Sequence, residues 1–273
     1  MPKGLTFNIN NDLTVIYYTS NYLEEKNLYF LKNCWAQLMK ATEGLPMVVV
    51  SQKPLDPAIY GINREPAIVN LVMDGIGRSH LNIYRQILEG AKLAKTKYVA
   101  MAEDDILYSR EHFIPDFALK ESEKTPDTYF YDMAKVSLFT WTKPPIFSFR
   151  TKRKVVNQLI APRQMLIDNL EERFARWPSF IAEQAQRVLP RVNPPEHYLK
   201  YWGDPGRYED IMGITRRNTF EYYSWVPSIV FSHAFAFGYE TNQGKKKKHG
   251  DLRIVELADW GKASDILKLY ERK

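Results

Sequence analysis

A single cysteine, Cys34, stands in the 273 residues, so no internal disulfide can form and the chain suits a reducing cytoplasm. It falls inside an amphipathic pattern, which predicts a buried core thiol rather than a nucleophile. Long apolar runs are missing as well. Nothing approaches the roughly 20 residues that a membrane span needs, and MPKGLTFNINNDLT at the start lacks the apolar core of a secretory signal. A cytoplasmic protein without a membrane partner is the expectation. There is no internal repeat and no long linker, which predicts one domain over residues 1–273. Glycine-rich phosphate loops are scarce too: GIGRSH at 75–80 lacks the third glycine and the later acidic residue of a dinucleotide fingerprint.

What is present is a globular composition, with 45% hydrophobic and 14% aromatic residues. A net charge of +6 favours a polyanionic partner only weakly, so the placement of the charge matters more. Arg150, Lys152, Arg153 and Lys154 form one cluster and Lys245 to Lys248 another. Each either holds phosphates or is a solvated segment.

The first half alternates strand and helix. LTVIYY (13–18), PMVVVS (46–51) and AIVNLVM (67–73) are β-branched and apolar runs closed by turn residues. Between them, Leu23, Leu28, Leu31, Trp35 and Leu38 recur at helical spacing, as do Leu81, Tyr84, Ile87, Leu88, Ala91 and Ala94 behind an N-cap at Ser79. Near-continuous apolar strands separated by amphipathic helices predict an α/β fold with a mainly parallel sheet covered on both faces. Ligands of such sheets bind beyond the carboxyl ends of the strands. The second half is less regular. Strands are expected at 129–131, 135–141 and 228–231, a helix opened by Pro162 running to about Pro178, another to about Val188, and an ordered loop from Arg191 to Arg207.

The fourth strand, in YVAMAEDDILY (98–108), ends in Glu103, Asp104 and Asp105. Three adjacent carboxylates at the mouth of a core strand repel one another, and a hard divalent cation such as Mg²⁺ or Mn²⁺ carrying a diphosphate would relieve them. An acidic turn facing solvent is the alternative. Arg78 and the amides of the GIGRSH turn can address a phosphate or ribose, or simply form a tight turn. His233 follows an apolar run and is either a core histidine or a partner of that site; the basic loop downstream, with Lys245, could close over a diphosphate. Glu209 and Asp210 follow WGDPGRY and supply either a general base or the acidic first turn of a helix.

Four stretches carry a resemblance across most of the chain: VIYYTSNYLEEK, VVVSQKPLD, GRSHLNIYRQILEGAKLAKTKYVAMAEDDILYSREHF and PSIVFSHAFAFG. On these, the sequence resembles GT-A-type nucleotide-sugar glycosyltransferases. More narrowly, it is similar to the TET-associated glycosyltransferases, phage and fungal relatives of the base J glucosyltransferase. The resemblance implies a GT-A (Rossmann-like) fold, with a nucleotide-sugar and metal half at 1–108 and an acceptor half at 109–273. It implies sugar transfer from a UDP-sugar, with Mn²⁺ or Mg²⁺, to the hydroxymethyl group of a 5-hydroxymethylpyrimidine in DNA. It places Thr19 and Asn21 in the nucleotide pocket, Lys53, Arg78 and Ser79 near uridine or ribose, and Glu103 and Asp104 beside the donor. Asp105 and His233 would hold the metal and Lys245 would meet the diphosphate. The family's frequent EHD is EDD here, and its glycine-rich segment after the histidine has become HAFAFGYET. Asp210 or Glu209 would act as base if configuration inverts. Arg150, Lys152, Arg153 and Lys154 would contact DNA, and Trp141, Trp202, Tyr222, Tyr223 or Trp225 would stack on an exposed base. A polysaccharide, lipid or protein acceptor is the rival reading. Nucleotidyl transfer is disfavoured, because TSNYLEEK stands where a glycine- and lysine-rich loop would follow the first strand.

Overall fold

The computed structural model describes residues 12–61, 68–114, 127–149, 154–178, 204–207, 209–234 and 252–271. In chain order the strands are β1 Leu13–Tyr18, β2 Met47–Ser51, β3 Ile68–Val72, β4 Tyr98–Ala102, β5 Ile106–Leu107, β6 Thr128–Asp132, β7 Lys135–Phe139, β8 Phe147–Phe149, β9 Leu159–Pro162, β10 Asn218–Tyr222, β11 Ser228–Ser232, β12 Leu252–Ile254, β13 Glu256–Leu257 and β14 Gly261–Lys262, the last two forming a small sheet of their own. The helices are α1 Tyr22–Lys26, α2 Leu28–Ala41, α3 Pro57–Tyr60, α4 His80–Leu93, α5 Arg163–Arg176, α6 Glu209–Met212 and α7 Ala263–Leu267.

Seven strands form the central sheet in the order β10-β6-β9-β4-β1-β2-β3. The pairs β1–β2, β1–β4, β2–β3 and β6–β10 are parallel; only β9 runs against its neighbours β4 and β6. The fold is therefore α/β with a mainly parallel sheet, as expected. Side-chain alternation divides the core into two layers. Val15, Tyr17 and Val49 pack with Phe30, Leu31, Cys34, Trp35 and Leu38 of α2, so Cys34 is a buried core thiol. On the other face Ile16, Tyr18 and Met101 pack with Tyr84, Ile87, Leu88 and Ala91 of α4 and Leu166 and Leu170 of α5. The α4 helix lies so close to the sheet that a Cβ on Gly90 would stand 2.6 Å from Ile16 Cγ2.

The strand-four region then departs from a simple alternation. A second sheet, β12-β8-β7-β11-β5, lies beyond the central one. Ser228 at the start of β11 donates its N–H to Ala134 just after β6 (3.0 Å), while Phe231 donates to the carbonyl of Asp105 just after β4 (3.1 Å). The β11 strand thus runs across the carboxyl ends of the central strands, from β6 toward β4, and delivers His233 beside the acidic turn.

Two expectations need correction. Pro162 does not open the helix: it closes β9 and serves as the N-cap of α5, with ψ 121° in the extended range. The aromatic strand expected to reach Trp141 stops at Phe139. The helix expected near Val188 and most of the loop expected over 191–207 lie outside the described residues.

Candidate active site

The carboxyl ends of β1, β2 and β4 converge through side chains. Tyr18, the last residue of β1, donates its hydroxyl to Glu103 Oε1 at 2.6 Å, and Asn157 Nδ2 donates to Glu103 Oε2 at 2.7 Å. Thr19 Oγ1 donates to Asp104 Oδ2 at 2.8 Å. Asn157 faces Glu103 because β9 is antiparallel to β4, with Ala100 opposite Ile160. As the two strands part, Tyr108 fills the gap: its hydroxyl accepts the Glu103 N–H and donates to the Asn157 carbonyl, both at 3.0 Å.

Asn21 sits in the left-handed region at φ 58°. Its Oδ1 accepts from the backbone N–H groups of Gln52 (2.8 Å) and Lys53 (3.0 Å), tying the turn after β1 to the turn after β2. Asparagine tolerates this backbone better than most residues, and its carbonyl satisfies two loop donors. Lys53 itself is exposed and salt-bridged to Glu25. Ser79 caps α4 as expected, accepting from Asn82 N at 3.1 Å. The guanidinium of Arg78 lies 3.7 Å from the centre of the Tyr22 ring, a cation–π contact that steadies it over the turn after β1.

Asp105 pairs with His233: Nε2 and Oδ2 are 3.3 Å apart, the histidine 1% exposed and the carboxylate 17%. The imidazole packs edge-on against Phe30 and tilted against Tyr270, with ring centroids 5.3 and 5.5 Å away. His233 is therefore both a core residue and a neighbour of the acidic turn; the two readings of the sequence are compatible. Burial, and then the Asp105 charge, push the Glu103 carboxyl up to about 8 and that of Asp104 up to about 6.

A divalent ion can be tested against this donor set. Among the described residues no group of three or more His, Cys, Asp or Glu side chains could hold a metal ion. Two donors, Asp105 and His233, do stand together. Mg²⁺ ordinarily takes one or two carboxylates and completes its shell with phosphate oxygens and water. Asp105 and His233 thus supply two donors of the kind such an ion takes, and do not form a closed structural site.

The other expected residues lie elsewhere. Glu209 is buried and its Oε1 meets Arg173 Nη2 at 3.0 Å, while also accepting the Gly206 N–H. This carboxylate is held in an internal ion pair and is not presented to solvent. Asp210 is 69% exposed and 3.6 Å from Arg216. Lys154 donates to Thr219 Oγ1 at 2.6 Å and pairs with Glu221 at 3.1 Å, both on β10. Arg150, Lys152, Arg153, Lys245 and Trp202 lie outside the described residues. Of the remaining aromatics, Tyr222 is a core residue at 2% exposure, whereas Trp141, stacked on Phe139, Tyr223 and Trp225 are all exposed.

Sequence reasoning missed Tyr18, Tyr22, Tyr108 and Asn157. Tyr18 was findable as the terminal residue of β1, at the same sheet edge as the carboxylates. Asn157 carries no sequence signal, because its position follows from the antiparallel insertion of β9.

No family model matches the chain, and no curated protein does either. Among solved structures, residues 1–349 of Staphylococcus aureus TarS in complex with UDP-GlcNAc share 12% identity at a TM-score of 0.44, covering 83% of this chain and 60% of that one. The apo-form glycosyltransferase GlyE of Streptococcus pneumoniae TIGR4 shares 8% identity at a TM-score of 0.41, covering 78% of this chain and 46% of that one. This chain thus spans less than two thirds of either, and at such low similarity the likeness settles neither activity nor substrate.

Proposed function

We propose that the chain is a metal-dependent glycosyltransferase of GT-A type. It would move a sugar from a UDP-sugar to the hydroxymethyl group of 5-hydroxymethylcytosine, or 5-hydroxymethyluracil, in DNA. The observation that carries the donor side is the acidic turn at the end of β4: three carboxylates, two with raised values, the third paired to a buried histidine. Such a cluster is stabilised by a cation and an anionic ligand that brings it in. The acceptor side rests on the resemblance of the central block to DNA-modifying relatives.

In this reading Asp105 and His233 would hold the ion, which when bound would supply stabilisation of the negative charge on a departing nucleoside diphosphate. Tyr18 and Asn157 fix the Glu103 carboxylate through both its oxygens, and Thr19 fixes Asp104, so neither needs to reorganise when the donor binds. Asn21 sets the two strand-end turns that would border the nucleotide, and the Arg78–Tyr22 pair stands over them to meet ribose or phosphate. Lys245, within the basic run Lys245 to Lys248 of the sequence, would neutralise the leaving group. The buried ion pair of Glu209 removes it as a base for an inverting reaction, and Asp210, although exposed, stands beside Arg216 rather than at the acidic turn.

A labelled-sugar transfer assay decides the reading. With Mn²⁺ and a panel of UDP-sugars, label should enter hydroxymethylated DNA and not unmodified DNA. Label in free saccharide, lipid or protein instead would assign the rival acceptor class.

A further inference from the structure

Asn21 is the N-cap of α1 and Glu24 stands three residues on, which is the spacing of a capping box. In that motif the N-cap side chain accepts from the backbone three residues later, and the glutamate reaches back to the N-cap N–H. Both groups are redirected here. The Asn21 side chain makes no cap bond. Its Oδ1 accepts from the Gln52 and Lys53 amides, and its Nδ2 donates to Glu24 Oε1 at 2.5 Å. The Asn21 N–H donates to Thr19 Oγ1 at 2.9 Å. A non-glycine residue at φ 58° is a costly backbone, and such residues cluster where function requires them.

Each contact fixes the next. A carboxamide can be turned over, exchanging its acceptor for its donors. Turned over, Asn21 would set its NH₂ against two backbone donors and its oxygen against the Glu24 carboxylate. Glu24 therefore selects the orientation that serves Gln52 and Lys53. It is anchored in turn: the same oxygen accepts from Tyr60 Oη at 2.7 Å. Tyr60 is 1% exposed, and its carbonyl accepts from Trp35 Nε1 at 2.7 Å. On the other side, the Thr19 hydroxyl has one proton. Its oxygen accepts from Asn21, so that proton goes to Asp104 Oδ2 at 2.8 Å. A continuous line of contacts thus runs from a core tryptophan to the acidic turn.

We infer that Glu24 is a positioning residue for the nucleotide donor. Through Asn21 it sets the turn after β2 on one side and the Thr19–Asp104 contact on the other, without itself touching the ligand. The inference rests on the strand ends being a UDP-sugar site, as proposed above. It differs from a brace that only stabilises the fold. A brace is read in the melting temperature alone, whereas a positioning pair needs a donor facing an acceptor at residues 21 and 24 and is read in nucleotide affinity.

The test is calorimetric titration of UDP into the full chain with Mn²⁺, well below the circular-dichroism melt of each variant. Glu24→Ala removes the acceptor and should weaken UDP binding about tenfold or more, the scale of a hydrogen bond to a charged group. Glu24→Gln keeps an acceptor oxygen and should stay within about threefold of the wild type. Asn21→Asp sets a carboxylate against Glu24 and should lose about tenfold. The double variant Asn21→Asp/Glu24→Gln exchanges donor and acceptor, so the side chain at 21 still accepts from Gln52 and Lys53. It should recover to within about threefold of the wild type. Equal UDP affinity in Glu24→Ala and the wild type overturns the inference, even where the melting temperature falls. So does a double variant no better than Asn21→Asp. In both cases the donor reading stands, whereas a wild type that binds no UDP removes that reading and this inference together.

Discussion

Replacing Arg173 by methionine removes a guanidinium with no exposed surface while keeping an unbranched apolar stem in its place. Among the contacts that go with it are Glu209 Oε1 at 3.0 Å, Asn169 Oδ1 at 2.9 Å, and the face of Tyr84, 5.9 Å from the ring centre. What remains is a carboxylate that is 2% exposed, with the Gly206 N–H as its other donor. Stranding one partner of a buried ion pair costs about 3–5 kcal/mol. For a chain of this size each kcal/mol moves the melting temperature by roughly 2–4 °C, so a fall on the order of 10 °C is expected. The double variant Arg173→Met/Glu209→Gln removes the stranded charge, keeps an acceptor for Gly206, and should recover most of the loss. Circular-dichroism melts measure all of this. A single variant that melts with the wild type, or a double variant no better than the single, refutes the reasoning. Glu209→Gln alone offers a sharper outcome. If it leaves the melting temperature unchanged and abolishes turnover, Glu209 is a base and its assignment to an internal ion pair is wrong.

Other consequences follow from the same contacts. Gly90→Ala forces a methyl to 2.6 Å from Ile16 Cγ2 and 3.2 Å from Val50 Cγ2, so α4 must lift from the sheet; urea unfolding should report a loss of about 1–3 kcal/mol. Asn21→Ala leaves the Gln52 and Lys53 amides without their acceptor, and should cost about 1–3 kcal/mol in the same experiment as well as weakening UDP binding. Burial pushes the Cys34 thiol well above its usual value, so thiol reagents should label it only when denaturant unfolds the chain.

Much of residues 1–108 was legible because the elements there are long and periodic. The runs at 13–18, 47–51 and 98–102 are apolar on both faces, and the helices beside them repeat over several turns. The acidic turn stood out for the same reason, since three charges after a buried strand break the pattern. The second sheet was not legible as a sheet. Its members β5, β8 and β12 are two or three residues long, too short for periodicity to register, and their pairing is set by partners far along the chain. The antiparallel β9 hid for a related reason: LIAP runs straight into a helix, and proline suggested a first helical position where tertiary pairing with Tyr98 made it the end of a strand. Glu209 illustrates a different limit. A glutamate after a glycine-containing turn has the same sequence signature whether it faces a substrate or a buried arginine, and only the position of Arg173 on α5 decides.

The account turns on the acidic end of β4 as a cation and diphosphate site, and calorimetric titration of UDP tests that most directly. With Mn²⁺ present the wild type should bind UDP, with EDTA the affinity should fall at least tenfold, and Asp105→Asn should bind weakly in either buffer. Tight UDP binding that ignores both EDTA and the loss of the Asp105 charge, or no binding of UDP and Mn²⁺ at all, would contradict it.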